Sequence, residues 1–230
     1  MELGYWGIKG VAEPIRLLVA YLQLDITEFN PGNAEEWFQG KKKDLATPFP
    51  NLPYLKHGEH VFTESGAIPH YIIHHSNKAE LLGKDLKDQT LHHTLEGILN
   101  DIRQNLFKAV FLPGDHAANI SKALEPGSAT DAKFQQLSKF LGEKDFLLGY
   151  LTYADFRFAY ISTLVAAGAV SLGLESPASR YPNLTALTKR VFELPHVKEV
   201  VGKRLEIPFM PPTMIPFPLL THGGLRAKLA

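Results

Sequence analysis

The chain has 230 residues, 45% of them hydrophobic and 21% charged, with 24 Lys and Arg set against 24 Asp and Glu. A formal charge of zero gives no pull toward nucleic acid or an anionic membrane surface, and the lack of cysteine excludes disulfides, zinc–thiolate sites and cysteine nucleophiles. No run approaches the ~18 apolar residues of a membrane span, and the start Met1-Glu2-Leu3-Gly4-Tyr5-Trp6 lacks a basic segment followed by a long apolar one, so a soluble, intracellular chain of two domains, or one large one, is expected.

Residues 2–8 form a short apolar run into Lys9-Gly10, a strand followed by a turn. The stretch Ala12 to Leu22 places Ile15, Leu18, Val19 and Leu22 at helical spacing, with Pro14 in the first turn. A second strand is expected over 25–30 and a weak helical segment over 34–43. Prolines 48, 50 and 53 forbid a regular helix or a central strand. Tyr54-Leu55-Lys56 and His60-Val61-Phe62 read as a hairpin turning at Gly58. Ser65 is expected to open a helix carrying Ile68, Tyr71 and Ile72. This order gives an α/β layer over 1–78, with a linker over 77–83. From 84 to about 205 the pattern is helical, broken at Pro113-Gly114, Pro126-Gly127, Gly149, Pro177 and Pro182. Thr152-x-x-Asp155 reads as a capping box. The tail beyond 206 is too rich in proline for a helix, yet Ile207, Phe209, Met210, Ile215 and Phe217 suggest that its first part packs on the body.

Four segments in register carry a resemblance: Gly4-Tyr5-Trp6-x-Ile8-x-Gly10, Pro14-Ile15-Arg16, Phe49-Pro50-Asn51-Leu52-Pro53-Tyr54-Leu55 and Glu64-Ser65-x-Ala67-Ile68. With Leu82-Gly83-Lys84-Asp85, Asn100-Asp101 and Thr152-Tyr153-Ala154-Asp155-Phe156, the chain resembles the cytosolic glutathione transferases of the Tyr type. The mu class is nearest, with some pi and sigma features. The resemblance implies a thioredoxin-like N-terminal domain (1–78) with a mixed four-stranded sheet, and an all-helical domain (84–230) holding electrophile-site residues and the tail. It also implies a homodimer, and glutathione as co-substrate with no metal.

The implied chemistry needs a thiolate. A cysteinyl thiol titrates near ~8.5, and a hydroxyl bonded to its sulfur favours the anion. By resemblance Tyr5 is that donor; read from its residue type alone it is a core tyrosine at a strand end. Pro53, cis in the family, exposes the backbone of Leu52 to pair with glutathione as an added strand. The resemblance places Trp6, Asn51, Glu64 and Ser65 around the rest of the peptide. Trp37 and Lys41, or Lys42 if the register slips by one, would meet the glycyl carboxylate. Asp101 would cross to the partner's glutathione, and Phe49 would plug the neighbouring subunit. Ile8, Val11, Phe111, Ile207 and Phe209 would line the electrophile pocket.

Glu64 stands where mu and pi enzymes carry Gln, which leaves the class open. His70 and His74 are four apart, near His75 and the His92-His93 pair, but there is no His-Glu-x-x-His and no carboxylate spaced in sequence to complete a metal site, so none is expected. The expected function is conjugation of glutathione to small hydrophobic electrophiles. The alternatives are a glutathione-dependent isomerase of the sigma, prostaglandin-synthase type, and a crystallin-like or ligand-carrying relative without turnover.

Overall fold

The computed structural model describes residues 1–210. Strand β1 (Glu2–Gly4) runs into a 3-10 turn (Gly10–Ala12) and helix α1 (Glu13–Tyr21), which returns the chain to β2 (Thr27–Phe29). A π-helical turn (Glu36–Lys41) and a short α2 (Lys42–Asp44) lead to the hairpin β3 (Tyr54–His57) and β4 (His60–Thr63), then α3 (Ala67–His75). The sheet order is β2-β1-β3-β4, with β1 parallel to β2 and the other pairs antiparallel. The mixed four-stranded sheet therefore appears as expected. Its first strand is shorter than the apolar run, because after Tyr5, whose N–H still reaches Phe29 O at 3.0 Å, the backbone leaves the ladder.

The second half is helical: α4 (Leu86–Phe111), α5 (His116–Leu124), α6 (Ala129–Leu141), α7 (Tyr153–Ser171), α8 (Pro182–Phe192) and α9 (Val197–Lys203). Side-chain caps fix three starts, with Asp85, Asp115 and Ser128 each accepting from the N–H three residues on. Helix α7 is apolar nearly all round and is buried along most of its length, which makes it the axis of this half. Its capping box is present. The fully buried Asp155 carboxylate accepts from Thr152 N–H (2.8 Å), Thr152 Oγ1 (2.9 Å) and Leu147 N–H (2.8 Å). Burial outweighs these bonds and pushes the carboxyl up to about 6.

One helix start differs from expectation. Ser65 does not cap α3: Glu64 sits at φ +74° and its carbonyl accepts from both Ala67 and Ile68 N–H, so residues 65–66 form a turn and the helix begins at Ala67. Pro69, third in the helix, is tolerated there because the N–H groups of the first turn have no intrahelical acceptor.

The two halves share one core. Helix α1 packs on α7 and α9, and Leu17, Leu18 and Ile68 join Leu99, Phe156 and Leu164 in a continuous apolar cluster. The first part of the tail does pack on the body. Lys9 N–H donates to Pro208 O (2.8 Å) and Gly10 N–H to Phe209 O (3.0 Å), which docks 207–210 across the turn after β1. Ile215 and Phe217 lie outside the described residues.

Candidate active site

The turn that follows β1 places Tyr5. Its N–H is tied to Phe29, and its carbonyl accepts from Asn30 Nδ2 at 2.8 Å. The side chain lies beneath the 3-10 turn, 8% exposed, and the phenolic oxygen accepts from Val11 N–H at 3.3 Å. Gly10 makes this approach possible. It sits at φ +46°, and a Cβ there would fall 2.5 Å from the Tyr5 hydroxyl. Among the described residues the proton of that hydroxyl has no acceptor. Burial pushes the phenol's pKa up, while Val11 N–H, Arg16 and Arg103 pull against it, so Tyr5 is a neutral donor at pH 7.

Charged side chains brace the turn. The buried Arg16 bonds Ile8 O (3.0 Å), Lys9 O (3.1 Å) and Glu28 (2.9 Å), with its guanidinium 5.8 Å from the Tyr5 ring centroid. Glu13 joins Arg16 to Arg204 beyond α9. Lys9 is itself buried and donates to Ile207 O at 2.6 Å and to Arg204 O. Burial lowers its ammonium to about 8.

Beside the turn lies a cavity of about 50 Å³ between the halves, lined by Val11, Ser65, Asn100, Arg103, Arg157 and Tyr160, among others. Arg157 is paired with Glu96 at 3.0 Å. Arg103 donates to Asn100 Oδ1 (3.2 Å) and lies 5.2 Å from the Phe107 ring, with no carboxylate partner among the described residues. The Ser65 hydroxyl and the N–H groups of Ser65 and Gly66 likewise have no partner among them. Unpaired donors next to an uncompensated guanidinium favour a carboxylate ligand.

The remaining expected residues fall in three groups. Near the hairpin, the Leu52–Pro53 peptide is cis, Asn51 Nδ2 donates to Glu64 (3.2 Å), and Asn51 Oδ1 accepts from Leu52 N–H (2.9 Å). A peptide pairing with Leu52 would therefore displace Asn51 from that N–H. Residues beneath the sheet are turned inward. Trp37 is 2% exposed and stacked on Tyr54 at 6.3 Å, with Trp6 packed on the same cluster. Lys41 pairs with Glu2 at 3.0 Å and lies 5.0 Å from the Phe29 ring. Glu2 is at the start of β1 and Tyr5 follows its end, about 10 Å along the strand, so Lys41 is not brought to the Tyr5 side; Lys42 has no carboxylate partner among the described residues and lies 5.3 Å from the Phe38 ring.

At the surface, Phe49 is 76% exposed, and Asp101 pairs with Lys133 at 3.1 Å. Ile8, Val11 and Ile207 are half-buried around the turn, and the exposed Phe111 lies 6.0 Å from Phe107 at the end of α4. Phe209 is instead a core residue, packed 6.1 Å from Tyr160 under Lys9. Sequence reading missed Arg103, Arg157 and Lys9. Arg103 had a signal, a charge on a face of α4 shared with Leu99 and Leu106, whereas nothing local marked Lys9 as buried.

Comparison with known proteins gives the family. Residues 1–74 match the family model "Glutathione S-transferase, N-terminal domain" and residues 100–204 match "Glutathione S-transferase, C-terminal domain". Glutathione S-transferase B of Cavia porcellus is 36% identical over 164 residues, 68% of this chain and 72% of that protein. Human glutathione S-transferase Mu 2 is 36% identical over 166 residues, with the same coverage. Among solved structures, the glutathione S-transferase Blo t 8 superposes with a TM-score of 0.81 at 25% identity, covering 94% of this chain and 98% of that one. Rat hPGDS, solved with a quinoline, gives 0.73 at 25% identity, covering 88% and 96%. The chain belongs to the glutathione S-transferase family. Its likeness within that family is to mu-class enzymes.

Proposed function

We propose that the protein conjugates glutathione to small hydrophobic electrophiles, with Tyr5 donating a hydrogen bond to the glutathione sulfur. The observation that carries this reading is the Tyr5 hydroxyl: it accepts from Val11 N–H and keeps a proton that no described residue accepts. Holding a thiol near pKa ~8.5 largely ionised at pH 7 needs a shift of about two units, roughly 2.7 kcal/mol. One hydrogen bond to a charged group contributes about 1.5–3 kcal/mol. The positive field of Arg16 and Arg103, both close enough to act on Tyr5, adds in the same direction. The thiol proton leaves to solvent and the phenol retains its own, so no covalent enzyme intermediate is required.

The ligand contacts follow from the unpaired donors. The γ-glutamyl carboxylate takes the Ser65 hydroxyl and the N–H groups of Ser65 and Gly66, with Glu64 and Asn51 at the ammonium end. The peptide backbone pairs with Leu52, beside Pro53. The glycyl carboxylate takes Lys42 in preference to Lys41, whose charge Glu2 already compensates. Trp6 and Trp37 support this end from beneath. The apolar side chains of Ile8, Val11, Phe111 and Ile207 offer a surface for the electrophile, and Phe209 backs it from the core. Phe49 is the anchor of a homodimer in which Asp101 approaches the partner's glutathione. The cytoplasm is the proposed compartment, and no helix among the described residues is long and apolar enough to cross a membrane.

The test is retention on immobilised glutathione followed by an aryl-halide conjugation assay. Retention with turnover supports conjugation. Retention without turnover returns the protein to the carrier reading, and failure to bind glutathione removes both.

A further inference from the structure

Outside the Tyr5 site, the fold brings together three groups that the sequence keeps apart. His70 lies on α3, and His93 and Glu96 lie three residues apart on one face of α4. The His70 and His93 rings lie parallel, 9° between planes and 5.6 Å between centroids. One donor atom from each of His70, His93 and Glu96 falls within 4.8 Å of the other two. Sequence spacing offered no carboxylate to complete a site around His70; packing of α3 beside α4 supplies one. We propose that His70, His93 and Glu96 form a three-ligand site for a divalent transition-metal ion of the zinc type, which clamps α3 to α4.

The donor set and its state fit such an ion. Two imidazoles and a carboxylate suit Zn²⁺, Ni²⁺ or Cu²⁺ better than the hard cations, which take oxygen. Neither ring nitrogen of His70 or His93 has a hydrogen-bond partner among the described residues. Glu96 presents Oε1 to Arg157 at 3.0 Å, which orients the carboxylate and leaves its other oxygen available. Such a second partner is the usual support of a metal-binding carboxylate. Bonds of about 2.0–2.1 Å in a tetrahedral site put ligand atoms roughly 3.3 Å apart. The three groups must close by about 1.5 Å, within reach of rotations of His93 and Glu96. Water would fill the remaining coordination.

A second histidine group, on β3, β4 and α3, serves as the internal control. His57 and His75 have ring centroids 4.7 Å apart, but His57 Nδ1 is already bonded to Tyr71 Oη at 2.8 Å, and no carboxylate among the described residues is grouped with them.

The experiment titrates chelator-stripped full-length protein with Zn²⁺ in competition with a chromophoric chelator. The expected result is one tight equivalent per chain in the wild type and in His75→Ala, weakened at least ~10-fold in His93→Gln and in Glu96→Gln, since even supporting residues of metal ligands are worth about 10–100-fold. His93 is exposed, so His93→Gln leaves the fold intact and the comparison stands even if Glu96→Gln unfolds. Co²⁺ bound to the wild type should show the visible bands of a low-coordinate site. Zn²⁺ affinity equal in His93→Gln and wild type, or loss of binding in His75→Ala, would overturn the proposal, as would a wild type that takes up no Zn²⁺.

Discussion

Replacing His92 by Leu should stabilise the protein, and more so in mild acid. His92 on α4 is fully buried, and neither ring nitrogen has a hydrogen-bond partner among the described residues. A buried polar group left unsatisfied costs about 1–3 kcal/mol, so an apolar side chain of similar size should gain at least ~1 kcal/mol at pH 8. The acid contribution follows from linkage. Burial lowers the imidazole from 6.5 to about 4; His93, His70 and Arg157 push the same way, and Glu96 opposes them. The folded value lies below the unfolded one, so the proton is taken up on unfolding. Stability is therefore lost as pH falls from about 6.5 toward 4. At pH 5.5 the unfolded chain carries about ten charged rings for each neutral one while the folded ring stays neutral, a cost of about 1.4 kcal/mol that His92→Leu removes. Urea unfolding followed by tryptophan fluorescence, at one fixed protomer concentration, measures both gains. Equal gains at pH 8 and 5.5 would show that His92 is protonated in the folded protein, and a loss at both would show that its ring nitrogens are satisfied.

Three further outcomes follow from the buried contacts of Asp155 and from the roles proposed for Phe49 and Ser65. Asp155→Ala leaves two buried N–H groups and the Thr152 hydroxyl without their acceptor and should cost about 3–5 kcal/mol, read from the urea midpoint. Phe49→Ser should leave the fold of each chain intact while weakening a symmetric dimer. Burying one Phe is worth about 1.5–3 kcal/mol and such a dimer buries two, so the dissociation constant should rise roughly 10²–10⁴-fold in sedimentation equilibrium. Ser65→Ala should change stability by less than about 0.5 kcal/mol, because its hydroxyl has no partner among the described residues, yet weaken glutathione binding about ten-fold or more by calorimetry.

Much of the fold was legible because its signals are local. Helical spacing and Pro14 gave α1, Gly58 gave the β3–β4 turn, and Thr152-x-x-Asp155 gave the start of α7. The element order then gave the mixed sheet. What the sequence hid depends on chain segments meeting at a distance. Lys41 was expected at a ligand, and the fold of the turn after β2 brings it to Glu2 instead, 3.0 Å away. Phe209 was expected on a pocket wall, but the bonds from Lys9 and Gly10 to the tail carry it into the core. Ser65 looked like a cap because it precedes an apolar helix, while the positive φ of Glu64 that moves the start to Ala67 has no sequence signature. Glu96 escaped notice beside His70 because 26 residues and a change of layer separate them. Tyr5 was singled out by the family resemblance, since its residue type alone reads as a core tyrosine, and the contacts that bring Gly10 and Val11 onto its hydroxyl show only in the folded turn.

The central claim concerns the proton of Tyr5, and the ionisation of bound glutathione tests it most directly. The ultraviolet absorbance of the thiolate should be titrated against pH in the wild-type complex and in Tyr5→Phe. The account predicts a bound thiol about two units below its free value in the wild type and close to that value in the variant, with glutathione affinity little changed. The same depressed titration in both proteins would contradict it.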